Sequence, residues 1–336
     1  MIPQSILVTG ATGFLGSRLI EQLAALPEVI EITAAGRTLK PSHNLVHPKI
    51  KYNLGDLCDA DYVQRIVKGA DAVVNCAALS SPWGSYRTFE RTNILTQQNL
   101  LRAAAAERIE RFVYISTPSL YYTGSDRFNI KESDPLPARL VNHYARTKLQ
   151  AEQLLQKSGM PHVILRPRAL HGRGDTVIMP RLIRAVEEGK LRVIGDGQNI
   201  VDLTAVSNVV EAIICSLRAK LPAAQGVYNI TDDNPVKLWD TINYVLRGIG
   251  LPPPQKRMSK KVALTVANTI EFAAKLTRTR REPALLPYGV GNLSTSLTMN
   301  IDAAKEKIGY RPVQSTRESL DEFIAWYLQE QQRGNS

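Results

Sequence analysis

Two hydropathy regimes alternate along the first half of the chain. Short, largely apolar runs rich in β-branched residues, Ile6–Thr9, Glu31–Ala35, Ala72–Asn75, Phe112–Ser116 and Val163–Arg166, predict buried strands. Between them Leu15–Ala25, Ala60–Lys68, Asn93–Ala106 and Tyr144–Gln156 carry helical patterns. Strands alternating with helices at this spacing predict a doubly wound α/β fold, a parallel sheet covered on both faces. After Arg166 the pattern loosens: Pro and Gly punctuate Arg166–Gly174 and Gly189–Gly197 around a helix at Pro180–Glu188. Asn208–Ala219 predicts one more sheet-covering helix and Val227–Ile230 one more strand. From Leu251 onward the chain reads as mostly helical, after a joint at Pro252–Pro254. The expected division is residues 1–166 plus about 200–230 as a nucleotide-binding domain. Residues of about 167–199 and 231–336 form a smaller, discontinuous, mostly helical substrate lobe.

Composition narrows the class. With 44% hydrophobic and 22% charged residues in 336, and no low-complexity tract, the chain is an ordered globular protein. Cys58, Cys76 and Cys215 fit neither a disulfide nor a metal pattern, so no metal is expected. Ile6–Thr9 already reads as a strand, which leaves no room for an export signal, and no run of about 18 apolar residues suits a spanning helix. The expected location is cytoplasmic. The formal charge of +11 is uneven: eight basic residues (Lys256, Arg257, Lys260, Lys261, Lys275, Arg278, Arg280, Arg281) face only Glu271 and Glu282 between positions 256 and 282. No aromatic–basic interleaving or nucleic-acid motif goes with them, so nucleic acid is not the expected partner.

Candidate chemistry begins at Thr9-Gly10-Ala11-Thr12-Gly13-Phe14-Leu15-Gly16, between the first strand and the first helix. Gly10 permits the tight turn, Gly13 the approach of a pyrophosphate, and Gly16 close packing of helix on strand. The helix start adds N–H donors and a partial positive charge, so Thr12, Phe14 and Leu15 join the glycines as cofactor contacts. This makes the sheet Rossmann-type. At the end of the second strand, where NAD sites place a carboxylate on the ribose, Gly36 is followed by Arg37. A cation there suits a 2′-phosphate, so NADP(H) is favoured, with NAD(H) possible. Asp56-Leu57, after the next strand, suits the adenine amine, though an aspartate in a turn is equally ordinary.

Tyr144 and Lys148 lie four residues apart on one helix face. A free phenol titrates near 10, too high to exchange protons at neutral pH. Lowering it by about three units needs roughly 4 kcal/mol of differential stabilisation, which a neighbouring ammonium helps to supply. Among the tyrosines only Tyr144 has a lysine four residues on. A hydroxyl is also needed to hold a carbonyl oxygen beside the phenol. Ser116-Thr117-Pro118-Ser119 ends a strand, where ligands bind in open α/β sheets; Thr117 is the first choice and Ser116 its helper.

Together these residues, with Leu165-Arg166-Pro167, Gly195-Asp196-Gly197 and Lys307-Ile308-Gly309-Tyr310-Arg311-Pro312, resemble the extended short-chain dehydrogenases/reductases over nearly the whole chain. Ser81-Pro82-Trp83-Gly84-Ser85-Tyr86 and Arg166-Pro167-Arg168 look like the 3β-hydroxysteroid dehydrogenase-like branch. The resemblance implies that Thr117, Tyr144 and Lys148 are catalytic. It implies that Asn93 supports a water network, where a helix-capping role is the plain alternative, and it adds Ala77, Ala78, Lys148 and Pro167 to the cofactor contacts. Substrate contacts are expected from Trp83, Tyr86, Arg168, Met179 and the C-terminal helices, and a homodimer from Asn93–Ala106 with Tyr144–Gln156.

The expected reaction is NADP(H)-dependent reduction of a ketone, a β-keto acid or a steroid-like hydrophobic carbonyl, to a secondary alcohol, or the reverse. Nucleotide-sugar epimerases of the superfamily carry an arginine where Val201 precedes Asp202, and the dehydratases an Asp-Glu where Pro118-Ser119 follow Thr117. A nucleotide-sugar epimerase or reductase is therefore the weaker alternative, as is a non-catalytic NADP-binding regulator. For residues 256–282, three readings stand: a lid over a hydrophobic substrate, a weak contact with anionic membrane, or a helix packed on the body with solvated ends.

Overall fold

The structure, a computed structural model, describes residues 2–39, 45–277, 279 and 281–334; Arg278 and Arg280 of the basic segment lie outside them. Chain order in the first half is β1 (Ser5–Thr9), α1 (Phe14–Ala25), β2 (Glu31–Gly36), β3 (Ile50–Leu54), α2 (Ala60–Val67), β4 (Ala72–Asn75), α3 (Tyr86–Phe89), α4 (Thr96–Ala106), β5 (Arg111–Ile115), β6 (Arg127–Ile130) and α5 (His143–Lys157). Then follow β7 (His162–Pro167), β8 (Leu170–His171), α6 (Ile178–Glu187), β9 (Val193–Ile194), β10 (Ile200–Val201), β11 (Thr204–Ala205), α7 (Val206–Arg218) and β12 (Gly226–Ile230). The remainder is β13 (Val236–Lys237), α8 (Leu238–Gly248), β14 (Arg257–Met258), α9 (Lys260–Leu276), α10 (Pro287–Ser294), β15 (Leu297–Met299), α11 (Asp302–Lys307) and α12 (Thr316–Gly334).

Seven strands make one parallel sheet in the order β12-β7-β5-β4-β1-β2-β3. Alternate residues of a strand serve opposite layers. Ile6 and Val8 pack with α1 and α7, whereas Leu7 packs with α2, α4 and α5. The inner strands β1, β4, β5 and β7 are almost wholly buried because both faces are covered, whereas the edge strand β3, with Lys51 and Asn53, is not. Between β1 and β4 the winding reverses, which opens a crevice at the carboxyl ends of those strands. The architecture is a Rossmann-type doubly wound α/β sheet with a smaller, mostly helical lobe.

That lobe rests on short strands and helix packing. β13-β10-β15-β6 form a second sheet, and α6, α8 and α12 meet through Met179, Ile183, Val245, Leu320 and Phe323. Side chains fix several helix starts: Asn142 accepts from Ala145 N–H at 2.8 Å before α5, and Ser259 accepts from Val262 N–H at 3.3 Å before α9. The predicted Asn93–Ala106 helix instead begins at Tyr86. It passes through a π-helical stretch, Glu90–Leu95, before α4. Asn93 sits in that widened turn and caps nothing.

Candidate active site

The glycine loop between β1 and α1 is built for close approach. Gly10 turns at φ +67°, and a Cβ on Gly16 would stand 2.1 Å from the Gly10 carbonyl oxygen. No side chain caps α1 and its first turn holds no acid, so its N–H groups face the crevice with their positive end open to an anion. Thr12 crosses to the end of β2, where a Cβ on Gly36 would lie 2.4 Å from its hydroxyl. That crowding keeps a ribose-binding carboxylate out of position 36 and leaves Arg37, exposed, as the next residue. These features fit a dinucleotide.

Asp56 and Leu57 follow β3. The Asp56 carboxylate accepts from Cys58 N–H at 2.9 Å and meets Arg91 at 3.3 Å, and these contacts hold its pKa below the ordinary carboxylate value, the backbone bond most of all. Leu57 presents its carbonyl to Asn99 at 3.0 Å. Ala77 and Ala78 follow β4 at the crevice floor, where Ala77 N–H donates to Asn75 Oδ1 at 3.0 Å. Asn75 also accepts from Thr9 at 2.6 Å and donates to Gln97 at 2.7 Å, a buried relay that sequence reasoning missed because none of its members belongs to a motif. Pro167 ends β7 on the same side of the sheet.

Past β5 the hydroxyls converge. Thr117 Oγ1 donates to Ser119 Oγ at 3.0 Å and accepts from Ser119 N–H at 3.2 Å. The Tyr144 phenol reaches in from α5 beside the Thr117 and Ser80 hydroxyls. Ser116 Oγ is buried with no partner, a hydroxyl in reserve beside the cluster. Asn93 clamps the loop after β4 to α5, accepting from Leu79 N–H at 2.8 Å and donating to Thr147 at 3.0 Å. The Thr117, Ser119, Ser80 and Tyr144 hydroxyls thus gather at the carboxyl ends of β4 and β5.

Lys148 departs from expectation in one respect. Its ammonium, fully buried, donates to the Ile115 carbonyl at 2.5 Å and lies 4.0 Å from the centre of the Tyr114 ring. Burial drives its pKa down to about 7, against the pull of Glu152 and Cys76. Tyr144 is not lowered by it. Burial pushes the phenol up, and the Thr117 and Ser80 hydroxyls only partly oppose this. The reason is placement, since Ile115 and Tyr114 have captured the ammonium. Beneath it Glu152 pairs with Arg166 at 2.5 and 2.9 Å, and Arg166 reaches Tyr121 at 2.6 Å, a buried brace between α5 and β7.

The four substrate candidates divide. Arg168 leaves β7 for the crevice with its Nε buried and unpartnered, its charge disfavoured by burial, and Tyr288 and Asp202 close enough to oppose that. Asp202 is itself pushed up to about 6 by burial. Trp83 holds the lobe, its indole donating to the Thr279 carbonyl at 3.2 Å. Tyr86 turns to the outer side of α5, bonding Gln150 at 3.2 Å and packing edge-on to His143. Met179 is core, 6% exposed among Ile183, Val245 and Phe323, because the apolar side of α6 must cover α8 and α12. Sequence reasoning missed Tyr288, on α10, whose hydroxyl lies 2.7 Å from Ser119 Oγ. No motif marks it; only the folding of the lobe brings it there.

Residues 6–231 match the NAD dependent epimerase/dehydratase family. The chain is 31% identical over 332 residues to the 2-alkyl-3-oxoalkanoate reductase of Shewanella oneidensis, covering 95% of this chain and 85% of that one. It is 30% identical to 3beta-hydroxysteroid-dehydrogenase/decarboxylase isoform 1 of Arabidopsis thaliana, covering 94% and 78%. In fold it is similar to the UDP-glucuronic acid 4-epimerase of Bacillus cereus solved with NAD, with a TM-score of 0.74, 22% identity, and 97% and 99% of the two chains covered.

Proposed function

The chain belongs to the NAD dependent epimerase/dehydratase family, as an oxidoreductase of the extended short-chain dehydrogenase/reductase type, and from that premise we propose that it is an NADP(H)-dependent ketone reductase. Its substrate is a β-keto acid or another hydrophobic carbonyl compound, and the reverse oxidation uses the same site. The observation that carries this reading is the junction of Tyr144, Thr117 and Ser119 hydroxyls at the strand ends, above a buried Lys148.

The glycine loop and the start of α1 would hold the diphosphate, Arg37 the 2′-phosphate and Asp56 the adenine, while Lys148 would reach the nicotinamide ribose only by leaving the Ile115 carbonyl. When bound, the dinucleotide supplies or accepts the hydride. Tyr144, a phenol that is protonated at neutral pH, gives its proton to the ketone oxygen. Thr117, with Ser116 as a second donor, positions the oxygen beside it. Arg168, a half-buried cation whose Nε is buried without a partner, suits a carboxylate on the substrate. Val201 is buried in β10 between Val236 and Leu297, so this position offers no charge to a nucleotide diphosphate. Tyr86, Ile94, Gln150 and Leu154 line a groove along α5 that suits a second copy, and Ile94→Glu should then halve the mass in solution.

Steady-state oxidation of NADPH with β-keto acids and hydrophobic ketones, beside UDP-sugars, tests the reading. Ketone-dependent turnover is expected. Turnover of the UDP-sugars alone would overturn it in favour of the epimerase class.

A further inference from the structure

Helix α9 is built inside out. Its fully buried residues are small, Ala263, Ala267 and Ala274, of which the first two pack with the half-buried Leu264 against Ile194 and Val290. Four large apolar side chains face away from the protein, with Val262 52%, Val266 40%, Phe272 70% and Leu276 75% exposed, while Leu264 and Ile270 are half-buried. At 100° per residue, Val262, Thr265, Val266, Thr269, Phe272, Ala273 and Leu276 share one arc of about 120°. Single exposed apolar residues are ordinary, but a continuous row along a seventeen-residue helix is not.

Charge indicates what covers the row. Lys261 and Lys275 border the arc on one side, and Lys256, Arg257 and Arg281 are exposed at the two ends of the segment. The two acids are engaged: Glu271 with Lys275 at 3.0 Å, and Glu282 with Arg181 and Ser81, both at 3.2 Å. Two copies meeting through this strip would set like charges face to face. An anionic surface would neutralise them while taking up the apolar row.

We propose that α9 is a docking helix that lays this protein on an anionic lipid bilayer. The helix lies in the plane of the interface, its apolar row in the headgroup–acyl boundary and its lysines among the lipid phosphates. Among the described residues no helix is long and apolar enough to cross a membrane, so the contact is peripheral. The docked surface adjoins the candidate site. Beyond the end of α9, Thr279 holds the Trp83 indole and Glu282 holds Ser81 and Arg181, while α10, packed along α9, carries Tyr288 to Ser119. A lipophilic substrate then reaches the site from the bilayer side.

Vesicle co-sedimentation tests this without turnover, so its failure is separate from failure of the reductase reading. Vesicles of phosphatidylcholine alone are compared with vesicles containing phosphatidylglycerol, at low and high salt. Wild type should sediment with the anionic vesicles only, and less at high salt. F272S/L276S should weaken partitioning by roughly tenfold or more, and K261E/K275E by about as much. All four positions are exposed, so thermal unfolding should be unchanged and should certify the fold. Absence of wild-type binding, or undiminished binding of F272S/L276S, overturns the proposal. So does a lower oligomeric state of F272S/L276S in solution, which would assign the row to a second copy.

Discussion

The sheet end and the helical lobe meet at one candidate site but are made in opposite ways. On the sheet side, recognition is by backbone: a glycine turn at φ +67°, a helix start without a cap, a hydroxyl at the end of β5. The spacing is local, and a substitution such as a side chain at Gly16 collides with the main chain at 2.1 Å. On the lobe side, recognition is by side chains delivered from distant segments. Tyr288 meets a serine 169 residues away, and Trp83 is held by a carbonyl 196 residues away. On the proposed reading, the first kind of construction carries the chemistry and the second the choice of substrate.

The largest effect should come from the sheet side. Tyr144→Phe removes the transferable proton and little else, so ketone reduction should fall by about 10²–10⁴-fold while NADPH affinity stays near wild type. Steady-state rates and fluorescence titration of NADPH measure the two. A Tyr144→Phe enzyme with near-full activity would move the acid elsewhere in the hydroxyl cluster. Arg37→Ala should cost about ten- to a hundredfold in NADPH affinity and leave NADH nearly unchanged, the loss of one charge-assisted phosphate contact. Equal losses in calorimetric titrations of both cofactors would return Arg37 to an ordinary surface role.

This contrast also explains what the sequence disclosed. Six of the seven strands of the parallel sheet and the Tyr144–Lys148 spacing were legible because strand and helix periods and the glycine spacing are local signals, whereas the polar edge strand β3 and the short strands of the second sheet were not. Asn93 was legible as a residue but not in its setting, since a π-helical turn has no sequence period and the helix starts seven residues earlier, at Tyr86. Met179 and Tyr86 misled for one reason: an apolar or aromatic residue near a loop looks the same whether it lines a site or packs a helix. Tyr288 and Asn75 gave no signal because their partners are fixed only by the fold. The basic segment was legible as a charged helix, but the outward turn of its apolar side depends on which face the lobe covers.

Lys148 offers a test that needs no substrate. Its folded pKa, about 7, lies below the ordinary lysine value, so in the pH range above 7 the unfolded chain binds the proton that the folded one releases. Stability conferred by this site therefore rises with pH, and the charging penalty is fully present below pH 7. Buried thiols and phenols, such as Cys76 at about 12, act in the opposite sense only at more alkaline pH. From about pH 7 to 8.5 the unfolding free energy of wild type should rise relative to Lys148→Met by roughly 2 kcal/mol. Denaturant titrations across that range measure it. Parallel pH profiles would mean that the ammonium is better solvated than its place between Ile115 and Tyr114 implies.

The smallest effect concerns the point where the two constructions touch. Tyr288 adds one neutral hydrogen bond, at 2.7 Å, to a Ser119 that already receives Thr117. Its ring packs edge-on to Tyr122 with centroids 5.1 Å apart, and Tyr288→Phe keeps that contact. A single neutral bond is worth about 0.5–1.5 kcal/mol, so the substitution should change kcat/KM only about two- to tenfold. The informative quantity is which parameter moves. If the lobe acts on substrate choice, Tyr288→Phe should alter KM differently for ketones of different bulk and leave kcat alone, because the proton still comes from Tyr144. If instead Tyr288 tunes the acid through Ser119 and Thr117, kcat should fall by the same factor for every ketone and its pH profile should shift. The first outcome keeps the division between sheet and lobe; the second makes Tyr288 part of the sheet-side machinery and erases it.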